Sequence, residues 1–426
     1  MSAHASPNII TDGLAFMYDT GSGKSYKGEP AENLWDSMLN TQALRSHTKH
    51  YWDGYKWLEN ATYSNPGVEG PKGTYLGLVF KHTSGAINSV WSGNSYGYML
   101  RDIVCTSGAT FTQSCWIYTS ADCDVTAIPS LIEGESGGES AVTGYPASYD
   151  LTNKGTWQVT AKKAISDGNT RFIPLYPSKN GVTDGSFTGF FMWSLPQVVA
   201  GSHVVQPIQP GVTRSATQGL LDLTDTATID ISNASFDSNA QMTFDGTDDY
   251  AAIPYSSTDL DGDAIFSVEA IIKRTGTMSN GGIWGIGGDA TAAGINGYVF
   301  TSAPNKITID LWGTATFHAG VDYPLNEYVH IMWVKTTTGF STSTIIIYVN
   351  GVAYTGSNLT VMRGSSHTPN LNTSTSGKGI VIGRVGPATN SYYAPGEMPI
   401  FKVYNRALTA AEVLQNFNAT KDRFGL

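Results

Sequence analysis

The chain has 426 residues, of which 14% are charged and 47 are glycine, so small polar side chains and turns must supply much of its surface. Its formal net charge is −10 at pH 7, and no block of lysine or arginine is present. This excludes binding to nucleic acid or to an anionic membrane through a basic surface. No apolar run reaches the roughly 18 residues that a membrane-spanning helix needs, and residues 1–24 predict no secretory signal.

Strands dominate the predicted elements. Period-2 alternation with β-branched and aromatic side chains occurs at 14–18, 111–118, 156–161, 266–272, 306–311, 329–334 and 344–349. Hairpin dipeptides punctuate the chain at Asp167-Gly168, Asn180-Gly181, Asp184-Gly185, Asp245-Gly246, Asp261-Gly262, Asn296-Gly297 and Asn350-Gly351. Because no helical repeats separate the strands, the sequence predicts an all-β protein. We expect two antiparallel β-sandwich (jelly-roll) domains with a short C-terminal helix.

The C-terminal helix has a specific start signal. The Thr409 side chain can accept a hydrogen bond from the N–H of Glu412, whose carboxylate can reach back to the cap. Leu408 can pack on the first turn, and the apolar stripe that follows comprises Val413, Leu414 and Phe417. Residues 36–44 also allow a helix.

The three cysteines, Cys105, Cys115 and Cys123, are too few and odd in number for a disulfide framework. Their spacing does not complete a zinc site. We interpret them as buried small hydrophobic residues of a protein made in a reducing cytoplasm.

Five segments in the second half of the chain occur in a characteristic order. They are MTFDGTDDYAAIP (242–254), FSVEAII (266–272), YVHIMWV (328–334), IYVNGV (347–352) and FKVYNRALTAAEV (401–413). In this order they resemble the laminin-G-like, concanavalin A-like jelly roll of tailed-phage virion proteins. The opening at 9–20 and the closing segment at 418–421 are similar to the same group. The resemblance implies a lectin-like β-sandwich.

In that group the opening segment runs directly into the lectin-like body, whereas here residues 31–214 intervene. The intervening stretch resembles a carbohydrate-binding-module-like jelly roll of phage fibres at 32–35, 111–118, 155–160 and 191–202. It departs from that pattern at Val198 and Val199, where an acidic residue is common. We therefore expect residues 1–30 and 215–426 to form one domain, with 31–214 inserted into it as a second.

Carboxylates in pairs would be needed for a glycosidase on such a fold. Glu269 is alone in its strand, and we interpret it as a surface residue. Glu133, Glu135 and Glu139 lie in a segment rich in glycine and serine, which is typical of a solvated loop and holds reacting groups poorly. We therefore predict that the protein has no enzymatic activity and no catalytic residues.

Two oxygen-rich turns are candidate metal sites, because carboxylates are ligands that calcium prefers. The candidate ligands are Asp245, Asp248, Asp249, Asp259, Asp261 and Asp263. Related lectin-like folds often hold calcium, so the resemblance implies that one such turn can bind a calcium ion. The alternative is that both are ordinary hairpin turns. No other cofactor is expected.

Sugar binding needs aromatic rings next to hydrogen-bonding side chains. Two groups fit this requirement, and the candidate residues are Trp52, Asp53, Tyr55, Trp57, Tyr392 and Tyr393. The alternatives for both groups are that they cover the edge of a core or form a contact between subunits.

The resemblance implies a structural protein displayed on the surface of a bacteriophage virion, made in the cytoplasm of the host bacterium. Its expected partners are other virion proteins, further copies of itself in a homo-oligomer such as a trimer, and glycans of the host surface. Neither nucleic acid nor membrane insertion is expected. The first alternative is a glycan-binding adhesin or receptor-binding protein, and the second is a glycoside hydrolase.

Overall fold

A computed structural model describes residues 8–34, 50–52, 79–82, 99–102, 107–123, 132–133, 140–141, 150, 152–165, 171–175, 191–202, 204–206, 208, 212–237, 241–288, 290–373, 379–386 and 392–426. Contacts group the chain into two compact units. Unit 1 comprises residues before 30, 215–237 and 241–426, and unit 2 comprises 30–214. The helix considered for 36–44 lies outside the described residues.

The first strand of unit 1 is β1 (Leu14–Asp19). Unit 2 follows with β2 (Ala31–Glu32), β3 (His50–Trp52), β4 (Val79–His82), β5 (Met99–Asp102), β6 (Thr110–Thr119), β7 (Ile132–Glu133), β8 (Ser140–Ala141), β9 (Trp157–Ile165), β10 (Arg171–Leu175), β11 (Phe191–Ala200) and β12 (Thr213–Arg214). Its largest sheet has the order β3-β4-β11-β6-β9-β8, and a smaller one has the order β5-β10-β7. Strand β12 pairs with β2, which places the two ends of unit 2 side by side.

Unit 1 continues with β13 (Asp230–Asn233), β14 (Ser235–Phe236), β15 (Met242–Asp245), β16 (Tyr250–Ile253), β17 (Phe266–Arg274), β18 (Gly281–Gly287), β19 (Gly294–Val299), β20 (Lys306–Leu311), β21 (Ala315–Asp322), β22 (Tyr328–Lys335), β23 (Phe340–Ser341), β24 (Ile345–Val349), β25 (Val352–Tyr354), β26 (Thr360–Arg363), β27 (Ser366–His367), β28 (Ile380–Ile382) and β29 (Pro395–Tyr404). Short 3₁₀ helices span Thr258–Leu260 and Gly356–Asn358, and the helix α1 spans Ala410–Phe424. Among the described residues, no helix is long and apolar enough to cross a membrane.

Two antiparallel sheets make the sandwich of unit 1. The first has the order β14-β15-β29-β17-β22-β24-β25, with β1 also on β29, and the second has the order β13-β16-β28-β18-β19-β20-β21-β26. One apolar core contains residues from both sheets, because alternate side chains of each strand point inward. The Trp284 and Trp333 rings meet in this core with centroids 5.1 Å apart. The all-β fold with a C-terminal helix is therefore as the sequence predicts.

Strand β1 belongs to the sheet of unit 1. It runs antiparallel to β29, with Phe16 opposite Val403 and Tyr18 opposite Phe401. The Phe16 and Tyr18 side chains are fully buried in the core. Residues before the intervening unit thus complete a sheet whose other strands follow that unit.

Helix α1 begins at the predicted capping box, in which the Thr409 hydroxyl accepts from the Glu412 N–H and the Glu412 carboxylate accepts from the Thr409 N–H. Val413 is buried, but Leu414, which the sequence placed on the apolar stripe, is 48% exposed. The buried face of the helix comprises Val413, Asn416 and Thr420, so it differs from the apolar stripe that the sequence predicts.

The prediction for Glu269 is wrong. Its side chain points away from the sandwich core, as the alternation requires, but it is fully buried. The reason is that α1 covers this outer face of the first sheet, where the Asn416 amide donates a hydrogen bond to the Glu269 carboxylate. Alternation predicts the face of a side chain but not what covers that face.

The two Asn-Gly dipeptides of unit 1 behave differently. Asn350 and Gly351 have positive φ angles and join β24 to β25 in a tight hairpin, as predicted. Asn296 and Gly297 instead lie inside β19, so the predicted turn there is wrong. Gly297 is required for packing, since a Cβ at this position would lie 2.5 Å from the Trp284 Nε1 atom.

In unit 2, β6 is paired with β9 on one side and β11 on the other. Cys115 on β6 and Cys123 just after it are buried and form no disulfide, which confirms their interpretation as buried residues. Cys105 lies outside the described residues.

Candidate functional site

Polar residues occupy the outer face of the second sheet. In β19, β20 and β21 the aliphatic and aromatic residues Ile295, Val299, Ile309 and Phe317 belong to the core. The residues between them project to the opposite face, namely Asn296, Tyr298, Thr308, Asp310 and Thr316. All five are nevertheless buried, with Asp310 at 0% exposure. We call this surface, together with the side chains that cover it, the Asp310 face.

The strand register aligns three of these side chains in one row with Arg363 of β26. Asn296 is opposite Asp310, Asp310 is opposite Thr316, and Thr316 is opposite Arg363. Directly opposed residues on one face of a sheet have Cβ atoms about 4.5–5.5 Å apart, so neighbours in such a row can contact one another. The register therefore brings an amide, a carboxylate, a hydroxyl and a guanidinium together.

Asp310 is held by two donors. Its Oδ1 atom accepts hydrogen bonds from the Thr316 hydroxyl at 2.5 Å and from Arg363 Nη2 at 2.8 Å. Its Oδ2 atom is buried without a partner. Burial raises the pKa of Asp310, while Thr316 and Arg363 oppose this shift. The Arg363 side chain is 40% exposed, so this ion pair connects the buried carboxylate to the surface.

Aromatic rings gather on the same face. The Tyr298 ring lies 4.4 Å from Phe300, 5.5 Å from Tyr392 and 6.3 Å from Trp312, measured between centroids. Trp312 and Tyr392 are 6.5 Å apart and both are partly exposed. The Arg363 guanidinium lies 5.4 Å from the centre of the Phe300 ring. Phe300 therefore links this partly accessible ring cluster to the ion pair of Arg363 and Asp310.

Two glycines of β18 allow Val385 and Gly386 to lie against its outer face, next to Tyr392. A Cβ on Gly282 would lie 2.1 Å from the Val385 nitrogen, and one on Gly285 would lie 2.4 Å from the Gly386 nitrogen. The Tyr392 carbonyl accepts from the N–H groups of Gly282 and Val385, each at 3.1 Å. The close approach is possible because these glycines have no side chain.

Of the two tyrosines predicted for sugar binding, Tyr392 lies on the Asp310 face and Tyr393 does not. The Tyr393 ring lies 6.4 Å from Tyr250, which also stacks under the Arg384 guanidinium at 3.8 Å. In the other predicted group, Trp52 is the last residue of β3 and pairs with Val79. Asp53, Tyr55 and Trp57 lie outside the described residues.

The predicted metal ligands divide into two sets. Asp245, Asp248 and Asp249 offer carboxylate oxygens within 4.8 Å of one another. Asp249 is oriented by the Asp245 N–H at 2.8 Å and the Ser235 hydroxyl at 2.9 Å. The Asp245 carboxylate accepts from the Thr247 N–H at 2.6 Å, which lowers its pKa, whereas burial raises the pKa of Asp249. Carboxylate oxygens are ligands that calcium prefers, but these carboxylates also accept hydrogen bonds from N–H groups of their own turn. The calcium site and the ordinary turn therefore both stay open as alternatives.

The second set does not converge. Asp259 accepts from the Asn405 amide, and Asp261 accepts from the Thr373 hydroxyl at 2.7 Å. Asp263 forms an ion pair with the buried Lys335 at 2.8 Å. Each carboxylate therefore holds a different part of unit 1, and the structure does not bring them together around one point.

Sequence reasoning missed Tyr298, Trp312, Asp310 and Arg363. The signal for Asp310 was present, because an aspartate between Ile309 and Leu311 interrupts a strand of apolar and β-branched residues. The signal for the aromatic residues was absent, since they are brought together by strand pairing and by the segment that carries Tyr392.

Residues 245–414 match the family described as the concanavalin A-like lectin/glucanases superfamily, Laminin_G_3. A search of curated proteins gives no match.

Among solved structures, the Trypanosoma rangeli sialidase is 17% identical with a TM-score of 0.33, and the alignment covers 48% of this chain and 31% of that chain. The botulinum neurotoxin serotype D binding domain is 12% identical with a TM-score of 0.32, covering 49% of this chain and 50% of that chain. Domain 4 of the arabinanase AbnA from Geobacillus stearothermophilus, in complex with arabinotriose, is 12% identical with a TM-score of 0.31. That alignment covers 47% of this chain and 92% of the arabinanase domain. The alignments thus span about a third of the sialidase and half of the toxin domain.

The two-sheet sandwich, the C-terminal helix and the family match agree on one assignment. Residues 245–414 lie in a laminin-G-like, concanavalin A-like lectin/glucanase domain.

Proposed function

We propose that this chain is a carbohydrate-binding protein and that it binds glycans at the Asp310 face without cleaving them. One observation supports this most strongly. The rings of Tyr298, Trp312 and Tyr392 form a cluster on the same sheet face as a buried carboxylate that is paired with a partly exposed arginine.

This combination suits a sugar ring. The C–H face of a pyranose stacks on an aromatic ring, and its hydroxyl groups need oriented donors and acceptors. Trp312 and Tyr392 supply partly exposed rings. Arg363 can donate to a sugar oxygen, because its guanidinium is held in place by Asp310 and has further N–H groups.

Binding without hydrolysis is proposed from the partners of Asp310. Glycoside hydrolysis uses two carboxyl groups on either side of the scissile bond, separated by roughly 5–9.5 Å. Asp310 instead contacts a hydroxyl and a guanidinium. A carboxyl group held in this way serves to fix the Arg363 guanidinium, which can then donate to a sugar hydroxyl group.

A glycan array probed with the whole chain tests the proposal. Wild-type protein should bind at least one glycan, and Trp312→Ala or Tyr392→Ala should weaken that binding by about 1–3 kcal/mol, roughly 5- to 150-fold. Tyr393→Ala is the matched control, since this neighbouring ring packs on Tyr250 away from the face. Equal binding by all four proteins would place the glycan elsewhere, and the absence of any bound glycan would refute carbohydrate binding.

We further propose that the protein is displayed on the surface of a tailed-phage virion, where it forms a homo-oligomer such as a trimer. The support is the order of sequence segments that resembles phage virion proteins, and lectin-like modules gain adhesion when several copies act together. Imaging of purified particles and light scattering of the isolated protein test this. A monomer at high concentration that does not assemble on particles would favour a free adhesin.

A further inference from the structure

Three reactive groups meet beneath α1, on the outer face of the first sheet. Lys402 Nζ lies 2.8 Å from Glu269 Oε1, and Asn416 Nδ2 lies 2.7 Å from Glu269 Oε2. All three side chains are fully buried. One carboxylate thus bridges a primary amine and a carboxamide in a site closed to water.

We propose that Lys402 and Asn416 join in an intramolecular isopeptide bond, with Glu269 transferring the protons. The bond would link β29 covalently to α1. It is a self-modification of the folded chain and is independent of glycan binding.

The surroundings favour this reaction. The site adjoins an apolar cluster between α1 and the sheet that includes Met332, Leu408 and Val413. Burial without water disfavours charged groups, so the pair can exchange a proton to give a neutral amine and a neutral acid. Burial raises the pKa of Glu269, but Lys402 and His330 together lower it to about 2, so Glu269 is mostly ionised. A reaction that occurs once in the life of each molecule can proceed from the minor neutral form.

The other groups around Glu269 also fit the chemistry. The Ile10 N–H donates to Asn416 Oδ1 at 2.8 Å and can stabilise negative charge that develops on that oxygen. The Tyr404 hydroxyl lies 2.8 Å from Asn416 Nδ2, and burial raises the pKa of Tyr404, which keeps it neutral. His330 Nε2 lies 3.3 Å from Glu269 Oε1 and can orient the carboxylate.

The atoms balance without an oxidant or co-reactant. The neutral Nζ of Lys402 attacks Cγ of Asn416, and a new C–N bond forms. The protonated Glu269 delivers its proton to Nδ2 and accepts one from Nζ, after which the Cγ–Nδ2 bond breaks, ammonia leaves and Glu269 is again a neutral acid. Fixing the amine and the amide on one carboxylate replaces a bimolecular step by an intramolecular one, which accelerates such reactions greatly.

Lys335 shows why the proposal is specific to Lys402. It is also fully buried, but its Nζ contacts the Asp263 carboxylate and the backbone carbonyls of Asp263 and Ala264. Those partners hold an ammonium group and offer no side-chain amide to attack. We therefore expect a bond at Lys402 and none at Lys335.

Mass spectrometry of the intact, folded chain tests the proposal. Wild-type protein should be lighter than its sequence by one ammonia, and trypsin should release peptide 385–406, uncleaved at Lys402, joined to peptide 407–421. A folded wild-type protein with the full sequence mass would overturn the proposal. Loss of ammonia with the two peptides separate would also overturn it, since a succinimide at Asn350-Gly351 gives the same mass.

Variants identify the groups involved. Lys402→Met, Glu269→Gln and Asn416→Ala should each keep the full sequence mass, whereas Asn416→Asp should lose one water in place of ammonia. Asn418→Ala, on the same helix, is the matched control and should lose ammonia like the wild type. A cross-link that persists in Lys402→Met or Asn416→Ala would contradict the assignment.

Discussion

Phe16 offers a sharp test of how the two units are built. The residue precedes unit 2, yet its fully buried ring lies 6.3 Å from Phe401 and 6.4 Å from Tyr255 in the core of unit 1. Truncation of such a ring costs about 3–5 kcal/mol in transfer free energy and cavity formation. For a unit of this size each kcal/mol lowers Tm by about 2–4 °C, so Phe16→Ala should lower one melting transition by roughly 6–20 °C.

Differential scanning calorimetry of the whole chain measures this effect. Ile117→Ala, in the core of unit 2, identifies the transition of that unit. Phe16→Ala should move only the transition that Ile117→Ala leaves unchanged. If Phe16→Ala moves the same transition as Ile117→Ala, or moves none, β1 is not part of the folded core of unit 1.

Three further predictions concern loops, acid and calcium. Gly282→Ala should lower the free energy of unfolding by about 1–3 kcal/mol and weaken glycan binding, because the new Cβ displaces the segment that carries Tyr392. Gly23→Ala is the control and should change neither quantity, since Gly23 has open space around it. Arg406 and the Thr409 N–H hold the pKa of Glu412 near 2 against an ordinary 4.5, so its stabilisation is present above pH 4.5 and is lost as the pH falls through 2. Denaturation at several pH values should show a flatter acid limb for Glu412→Gln, and identical limbs would contradict this. If the turn of Asp245, Asp248 and Asp249 binds calcium, calcium but not magnesium should raise Tm, and Asp248→Asn should abolish the rise. The same Tm with either ion would show that these residues form an ordinary turn.

Local sequence signals predicted local structure well. Thr409 and Glu412 form the capping box that their spacing indicates, and Asn350-Gly351 forms the expected hairpin. These features depend on neighbouring residues, so the sequence around them contains the whole cause. Asn296-Gly297 failed because a ring from another strand, Trp284, occupies the space beside Gly297.

Non-local features were less predictable. Glu269 was assigned to the surface because the sequence does not say which face α1 covers. Tyr392 was recognised as a candidate, but its neighbours Tyr298 and Trp312 lie 94 and 80 residues earlier in the sequence. The partners of Asp310 likewise depend on the register of β20 with β21 and of β21 with β26. The site therefore emerges from strand pairing rather than from a contiguous motif.

A crystal structure of the wild-type chain with the glycan that binds most strongly on the array tests the central claim most directly. We predict a sugar ring stacked on Trp312 or Tyr392, with a hydroxyl group within hydrogen-bond distance of Arg363. A glycan bound elsewhere, with the Asp310 face unchanged and solvated, would contradict it.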